Sequence, residues 1–122
     1  MIKIIYCTVL SLTFISCIYN EDIKVKFKND SKTEIKNIKF SAENGTKSSP
    51  KINVDILEIG DEKYNTLNMK NLVKNDGSYS LDYIKDGKNK VISSGYFTNG
   101  RPTGSSVLIT FEKDTVLFNY KN

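Results

Sequence analysis

Ile23-Lys24-Val25-Lys26-Phe27-Lys28-Asn29 alternates apolar side chains with lysines. Successive side chains of a β-strand point to opposite faces, so this period of two predicts a strand with one buried face. The three apolar residues are expected to face the core, and the three lysines are expected to share the outer face. That outer face either guards a solvated edge strand against pairing with another chain or contacts anionic head groups of a membrane. We favour the edge-strand interpretation, because three lysines contribute little without a larger basic cluster.

The same period returns further along the chain. Tyr79, Leu81 and Tyr83 alternate before Asp86-Gly87, which signals a hairpin into a strand over residues 90–97. Other alternating stretches predict strands at residues 34–40, 52–56, 107–111 and 116–120.

Two stretches depart from the simple period. The apolar positions of residues 34–40 break strict alternation, which predicts a bulge near Asn37. Residues 64–73 fit either a short strand or one helical turn. With seven or eight short strands and no amphipathic helix, the pattern predicts an all-β fold. We expect a two-sheet antiparallel, immunoglobulin-like sandwich over residues 23–122.

Two turn-centred motifs add a resemblance. Asp76-Gly77-Ser78-Tyr79 and Gly95-Tyr96-Phe97-Thr98-Asn99-Gly100 resemble segments of small β-sandwich lipoproteins of bacterial envelopes. The resemblance implies a sandwich fold and an envelope location, and it brings no catalytic residues with it.

The first seventeen residues have the layout of a secretory signal peptide. Met1-Ile2-Lys3 carries one positive charge, residues 4–15 are uncharged and largely apolar, and the small residue Ser16 precedes Cys17. The apolar run is too short to cross a bilayer as a helix, which needs about 20 residues. Phe14-Ile15-Ser16-Cys17 resembles the lipobox of bacterial lipoproteins.

The lipobox resemblance implies a diacylglycerol on the Cys17 sulfur and cleavage after Ser16. The chain then divides into a signal peptide (1–16), the lipidated cysteine with a short tether (17–22) and the sandwich domain (23–122). Ile18 stands where an aspartate would be, which favours the outer membrane by the sorting rule of enteric lipoproteins. The alternative is an ordinary cleaved signal peptide, or an uncleaved anchor, with Cys17 incidental.

Composition excludes several classes of function. The chain has no histidine, which excludes Ser-His-Asp and Cys-His catalysis and histidine metal sites. Cleavage after Ser16 would remove Lys3, leaving 17 Lys+Arg and 14 Asp+Glu of mixed sign along the chain. This mild charge predicts no nucleic-acid partner. No phosphate-binding glycine loop is present, so no cofactor or metal is expected.

The candidate binding loop comprises Tyr96, Phe97, Asn99 and Arg101. Two aromatic residues run into a loop that holds the only arginine of the chain, and Tyr and Arg are enriched at interaction hot spots. The alternative, which we favour, is that one aromatic packs in the core and Asn99-Gly100 merely turns the chain.

Carboxylates are the remaining candidates for catalysis, because a pair of them can act as acid and base in glycoside hydrolysis. The candidates are Asp55, Glu58, Asp61, Glu62, Asp76, Asp82 and Asp86. Most are expected at turns or on exposed faces, and a small sandwich has little room for a deep cleft. Asp76-Gly77 and Asp86-Gly87 could suggest calcium, but the ligand spacing of an EF-hand is absent and their turn role explains them.

The sequence therefore predicts a membrane-anchored envelope lipoprotein whose sandwich is a non-enzymatic binding or structural module. It would meet the membrane through its N-terminal lipid, with room for a protein partner in the envelope. Two alternatives stay open. One is a lipid-anchored immunity protein that neutralises a toxin, and the other is a small carboxylate-based hydrolase.

Overall fold

The structure, a computed structural model, describes residues 21–45 and 49–122 and is all-β in that part of the chain. The leader and Cys17 lie outside the described residues. The eight strands are β1 (Asp22–Asn29), β2 (Ile35–Glu43), β3 (Lys51–Leu57), β4 (Glu62–Asn68), β5 (Gly77–Lys85), β6 (Lys88–Phe97), β7 (Ser106–Phe111) and β8 (Val116–Lys121). No helix among the described residues is long and apolar enough to cross a membrane.

Two four-stranded sheets pack as a sandwich, with strand orders β4-β1-β7-β8 and β3-β2-β5-β6. The expectation of a purely antiparallel fold is wrong for the first sheet, because β1 pairs with β7 in parallel. The chain crosses from β6 to β7 at the end where β1 begins, so both strands run the same way. The order also differs from an immunoglobulin domain, where the first strand pairs with the second; here β1 pairs with β4 and β7.

The lysine-bearing strand β1 lies inside its sheet. Ile23, Val25 and Phe27 are buried as predicted, but β1 is hydrogen-bonded to a neighbour on each side. The edge-strand interpretation of its lysines is therefore wrong. Local alternation specifies which face of a strand is buried, whereas the number of neighbours depends on strands that are distant in sequence.

The predicted bulge near Asn37 is confirmed. The register of β2 against β5 shifts between Lys36 and Lys39, where three residues of β2 span two residues of β5. Asn37 has a φ of 48°, the left-handed conformation that asparagine tolerates better than most residues. The extra residue lets Ile35 and Ile38 both face the core although they are three positions apart.

The inner faces of the two sheets form one apolar core with aromatic rings at its centre. The Tyr79 ring on β5 lies 5.4 Å from the Phe40 ring and 5.4 Å from the Phe97 ring, measured between centroids. The sequence left residues 64–73 open between a strand and a helical turn. In the structure they form the rest of β4 up to Asn68 and the start of the loop that follows. Leu67, Met69 and Leu72 of this stretch are buried in the core.

The connections gather at the two ends of the sandwich. The N-terminal end, where the chain enters β1, carries loops 44–50, 69–76 and 98–105, and the opposite end carries loops 30–34, 58–61, 86–87 and 112–115. Loop 69–76 is hydrogen-bonded to the entering chain by Met69 N to Glu21 O at 2.8 Å. It is joined to loop 98–105 by Gly100 N to Asn75 O at 2.8 Å.

Candidate functional site

The candidate binding loop begins with a tight turn. Asn99 and Gly100 have φ values of 52° and 64°, and the Arg101 amide donates to the Thr98 carbonyl at 3.0 Å. Two successive positive φ angles are typical of a type I′ turn, for which Asn-Gly is a preferred pair. Asn99 and Gly100 therefore reverse the chain, in agreement with the favoured alternative.

The four candidate loop residues do not share one surface. Phe97 is fully buried in the core beside Tyr79, whereas Tyr96 is 69% exposed. Arg101 is half-buried at the far side of the turn. Successive strand residues point to opposite faces, so only one of the two neighbouring aromatics can reach the core.

Loop 98–105 is held firmly against loop 69–76. The Asn99 amide donates to the Asp76 carboxylate at 3.0 Å. A Cβ atom at Gly100 would lie 2.5 Å from the Val73 carbonyl oxygen, so the backbones approach too closely for any other side chain. Asp76, a candidate acid by sequence, thus fastens one loop to another.

A shallow depression lies on the outer face of β4, β1 and β7 and encloses about 500 Å³. Lys26 lies opposite Tyr64 of β4 and Leu108 of β7 in the sheet register. Its ammonium group lies 3.1 Å from a Glu62 oxygen and 5.1 Å from the centre of the Tyr64 ring. Hydrogen bonds to Tyr64 and Glu62 raise the pKa of Lys26 above its ordinary value.

The lining of this depression suits an anionic ligand better than catalysis. Lys24, Lys26 and Lys121 line it, with no carboxylate among its lining residues. Tyr64, which also lines it, is 71% exposed. The sequence does not predict this site, because Tyr64 lies in the ambiguous stretch and because an edge strand would not have neighbours on both sides of Lys26. The alternation of lysines was the available signal.

Two of the seven candidate carboxylates line one surface. Asp55 and Asp82 border a depression of about 520 Å³ beside the bulge at Asn37. The others lie apart: Glu62 pairs with Lys26, Asp61 accepts a hydrogen bond from the Glu58 amide, and Asp86 occupies the β5–β6 turn. Within residues 21–45 and 49–122, no three Cys, Asp or Glu side chains are grouped so as to hold a metal ion.

Comparisons with known proteins support the fold. No protein-family model matches the chain, and the search of curated proteins found no match. The NMR structure of a protein from Eubacterium rectale is similar, with a TM-score of 0.54 and 14% sequence identity, over 84% of this chain and 91% of that chain. Identity this low shows a shared β-sandwich fold alone, so the lipoprotein interpretation stays a prediction.

Proposed function

We propose that the protein is an envelope lipoprotein, anchored through lipid on Cys17, whose sandwich domain is a non-enzymatic binding or structural module. The observation that carries this proposal is the leader, with its apolar run ending in Phe14-Ile15-Ser16-Cys17. A thiolate is the nucleophile that thioether formation needs. Two or more acyl chains hold a protein on a bilayer stably, whereas one chain does not.

The position of the domain relative to Cys17 supports the anchoring role. Glu21 is already hydrogen-bonded to Met69 at the N-terminal end of the sandwich. Residues 18–20 alone separate Cys17 from that contact, and the linkage reaches at most about 14 Å when extended. A lipid on Cys17 would therefore keep this end of the domain close to the bilayer surface.

The depression lined by Lys24, Lys26 and Tyr64 supports the binding role. It combines the exposed Tyr64 ring with the charges of Lys24 and Lys121, while Lys26 is paired with Glu62, and aromatic and basic side chains together are typical of a recognition surface. The sheet beneath it is hydrogen-bonded across all four strands, so the side chains project from a framework that needs no reorganisation on binding.

Intact mass of the protein extracted from the membrane fraction tests the anchor. We expect a mass equal to residues 17–122 plus acyl chains, and we expect Cys17→Ser to lack the acyl mass and to leave the membrane fraction. Cys7→Ser is the matched control, because Cys7 lies inside the leader and its loss should change neither result. An unmodified mass for the wild-type chain would overturn the proposal.

A further inference from the structure

We infer that the N-terminal end of the sandwich docks on an anionic phospholipid bilayer through Lys70, Lys74 and Arg101, with Val73 and Tyr96 beside them. This inference deepens the proposed function and rests on it. It assigns the anchored domain an orientation, in which its long axis stands upright and its opposite end faces away from the membrane.

The loops at the two ends of the sandwich carry opposite charge. The described loop residues of the N-terminal end include three basic residues and one acid, namely Lys70, Lys74, Arg101 and Asp76. The loops of the opposite end include seven acids and two lysines, namely Asp30, Lys32, Glu34, Glu58, Asp61, Asp86, Glu112, Lys113 and Asp114. A bilayer of negative surface potential therefore attracts the loops of the first end and repels those of the second.

Charged residues at the strand ends reduce this difference without removing it. Those of the N-terminal end comprise three carboxylates and three lysines, namely Glu21, Asp22, Glu43, Lys24, Lys51 and Lys121. Those of the opposite end comprise six lysines and two carboxylates, namely Lys28, Lys36, Lys63, Lys85, Lys88, Lys90, Asp55 and Glu62. With them included, the N-terminal end holds six basic and four acidic residues, and the opposite end holds eight basic and nine acidic residues. The one acid of the N-terminal loops, Asp76, is engaged by the Asn99 amide at 3.0 Å. The excess of positive charge at the N-terminal end therefore comes from Lys70, Lys74 and Arg101.

Distance makes the difference effective. A strand of eight residues spans about 26 Å, so the acidic loops lie about that far from the bilayer when the N-terminal end touches it. This distance is well beyond the Debye length of about 8 Å at physiological ionic strength, so the bilayer charge is largely screened there. The tether from Cys17 is shorter than that span. Three basic residues bind an anionic surface weakly by themselves. Here the lipid already holds the basic end within reach of the head groups, so these residues need only orient the domain, and turning it over would strain the tether and bring the acidic loops to the surface.

Apolar side chains accompany the basic residues at this end. Val73 is 51% exposed in loop 69–76, and Tyr96, near the end of β6, is 69% exposed. The Val73 backbone is fixed by Asn44, whose side-chain amide donates to the Val73 carbonyl at 2.9 Å. A tyrosine and an aliphatic side chain beside lysines suit the interfacial layer of a bilayer.

Site-specific fluorescence on the full-length, membrane-extracted protein tests the orientation. A polarity-sensitive fluorophore is attached to Val73→Cys or, as a matched control, to Ile59→Cys at the opposite end, which is an apolar residue of 61% exposure. The protein is reconstituted into vesicles of phosphatidylglycerol and phosphatidylcholine with nitroxide-labelled head groups. We expect several-fold stronger quenching at residue 73 than at residue 59.

Charge reversal and salt separate electrostatic docking from simple proximity. Each lysine near an anionic surface favours the docked state roughly fivefold, so Lys70→Glu with Lys74→Glu should abolish the difference between the probes. Lys32→Glu with Lys113→Glu, at the opposite end, should preserve it. High salt and vesicles of phosphatidylcholine alone should weaken the quenching at residue 73.

The outcomes distinguish this inference from the anchoring proposal. Protein that floats with the vesicles but is quenched equally at both positions, or more strongly at residue 59, overturns the orientation and leaves the anchor standing. If the protein does not float with the vesicles and Cys17 also carries a fluorophore, its thiol was free of lipid. That result overturns both the orientation and the anchor.

Discussion

The Tyr79 ring of β5 stacks on the Tyr120 ring of β8 across the two sheets, with centroids 5.8 Å apart and planes 25° apart. The Tyr120 hydroxyl also donates to the Ser94 carbonyl of β6 at 3.1 Å. Both β6 and β8 are edge strands of their sheets. Tyr120 therefore closes one side of the sandwich by joining two strands that share no backbone ladder.

The tyrosines of this contact predict a loss of stability at alkaline pH. Burial raises the pKa of Tyr79, and the neighbouring Tyr120 raises it further. Burial also raises the pKa of Tyr83 and Tyr120. An unfolded tyrosine ionises near pH 10, so above that pH the folded state binds more protons and the free energy of unfolding falls as pH rises.

Urea unfolding at neutral and alkaline pH measures this effect. We expect Tyr79→Phe to lose part of the alkaline destabilisation while changing stability little at neutral pH, because the Tyr79 hydroxyl donates to the Met69 sulfur at 3.8 Å, a long hydrogen bond to a weak acceptor. Tyr96→Phe, on an exposed side chain, is the control and should leave the pH dependence as it is. An identical pH dependence for Tyr79→Phe and the wild type would contradict the prediction.

Gly95 is predicted to be required by the Tyr120 contact. Its φ is 68°, and a Cβ atom there would lie 2.8 Å from the Tyr120 ring and hydroxyl. Gly87 has a similar φ of 71° but no atom within 4 Å of such a Cβ. We expect Gly87→Ala to cost about 1 kcal/mol for backbone strain, and Gly95→Ala to cost about 1–3 kcal/mol more because of overpacking.

Thermal or urea unfolding of the two alanine variants checks this difference. Equal losses of stability for Gly87→Ala and Gly95→Ala would show that the Tyr120 ring yields without cost at this position.

Asn29 at the end of β1 is predicted to be a stability determinant. Its side-chain amide donates to the carbonyls of Thr33 and Leu57 at 2.9 Å each, and its oxygen accepts from the Ser31 hydroxyl at 2.6 Å. Because Asn29 is fully buried, Asn29→Ala would remove two donated bonds and one acceptor from a buried site, and the Thr33 carbonyl would keep only its bond from the Ser31 hydroxyl at 2.8 Å. We expect a loss of about 2–4 kcal/mol in the free energy of unfolding.

The matched control for Asn29 is Asn53→Ala, which removes an exposed asparagine from β3. Exposed substitutions of this kind usually change stability by less than about 0.5 kcal/mol. Chemical denaturation measures the free energy of unfolding of both variants. A loss below about 1 kcal/mol for Asn29→Ala would argue against a stabilising role for the Asn29 hydrogen bonds.

The bulge at Asn37 predicts an unusual pattern of substitution. Glycine adopts positive φ without steric cost, so Asn37→Gly should retain stability close to that of the wild type. A β-branched residue is strained at such a φ, so Asn37→Val should cost about 1–3 kcal/mol although valine favours strands elsewhere. The denaturation midpoints of the two variants are compared with that of the wild type. An Asn37→Val protein more stable than the wild type would contradict the positive φ at Asn37.

Local features of the fold were predictable because their causes are local. The buried positions of β1 and β7 follow from a period of two, and the β5–β6 hairpin follows from Asp86-Gly87. The bulge was also predictable, since Ile35, Ile38 and Phe40 cannot all face the core on a regular strand. The turn role of Asn99-Gly100 was favoured for the same reason, because positive φ angles restrict which residues fit.

The candidate site was predicted less well because it depends on neighbours. The loop around Tyr96 was chosen from residue types, and the structure separates its members between core, turn and surface. The depression beside Lys26 requires Tyr64 and Leu108 on either side of β1. Those residues lie 38 and 82 positions away in sequence, and no local pattern states that they are adjacent.

Residue order is enough to predict an all-β chain of short strands, the buried face of most of them and the sites of reversal, since steric limits on φ and the alternation of side chains act within a few residues. The place of β1 inside a mixed sheet beside β7, and the collection of basic and acidic loops at opposite ends of the sandwich, depend on how the whole chain packs. Strand order is set by how two apolar faces of the whole chain pack together, and that free energy is shared among residues far apart in sequence.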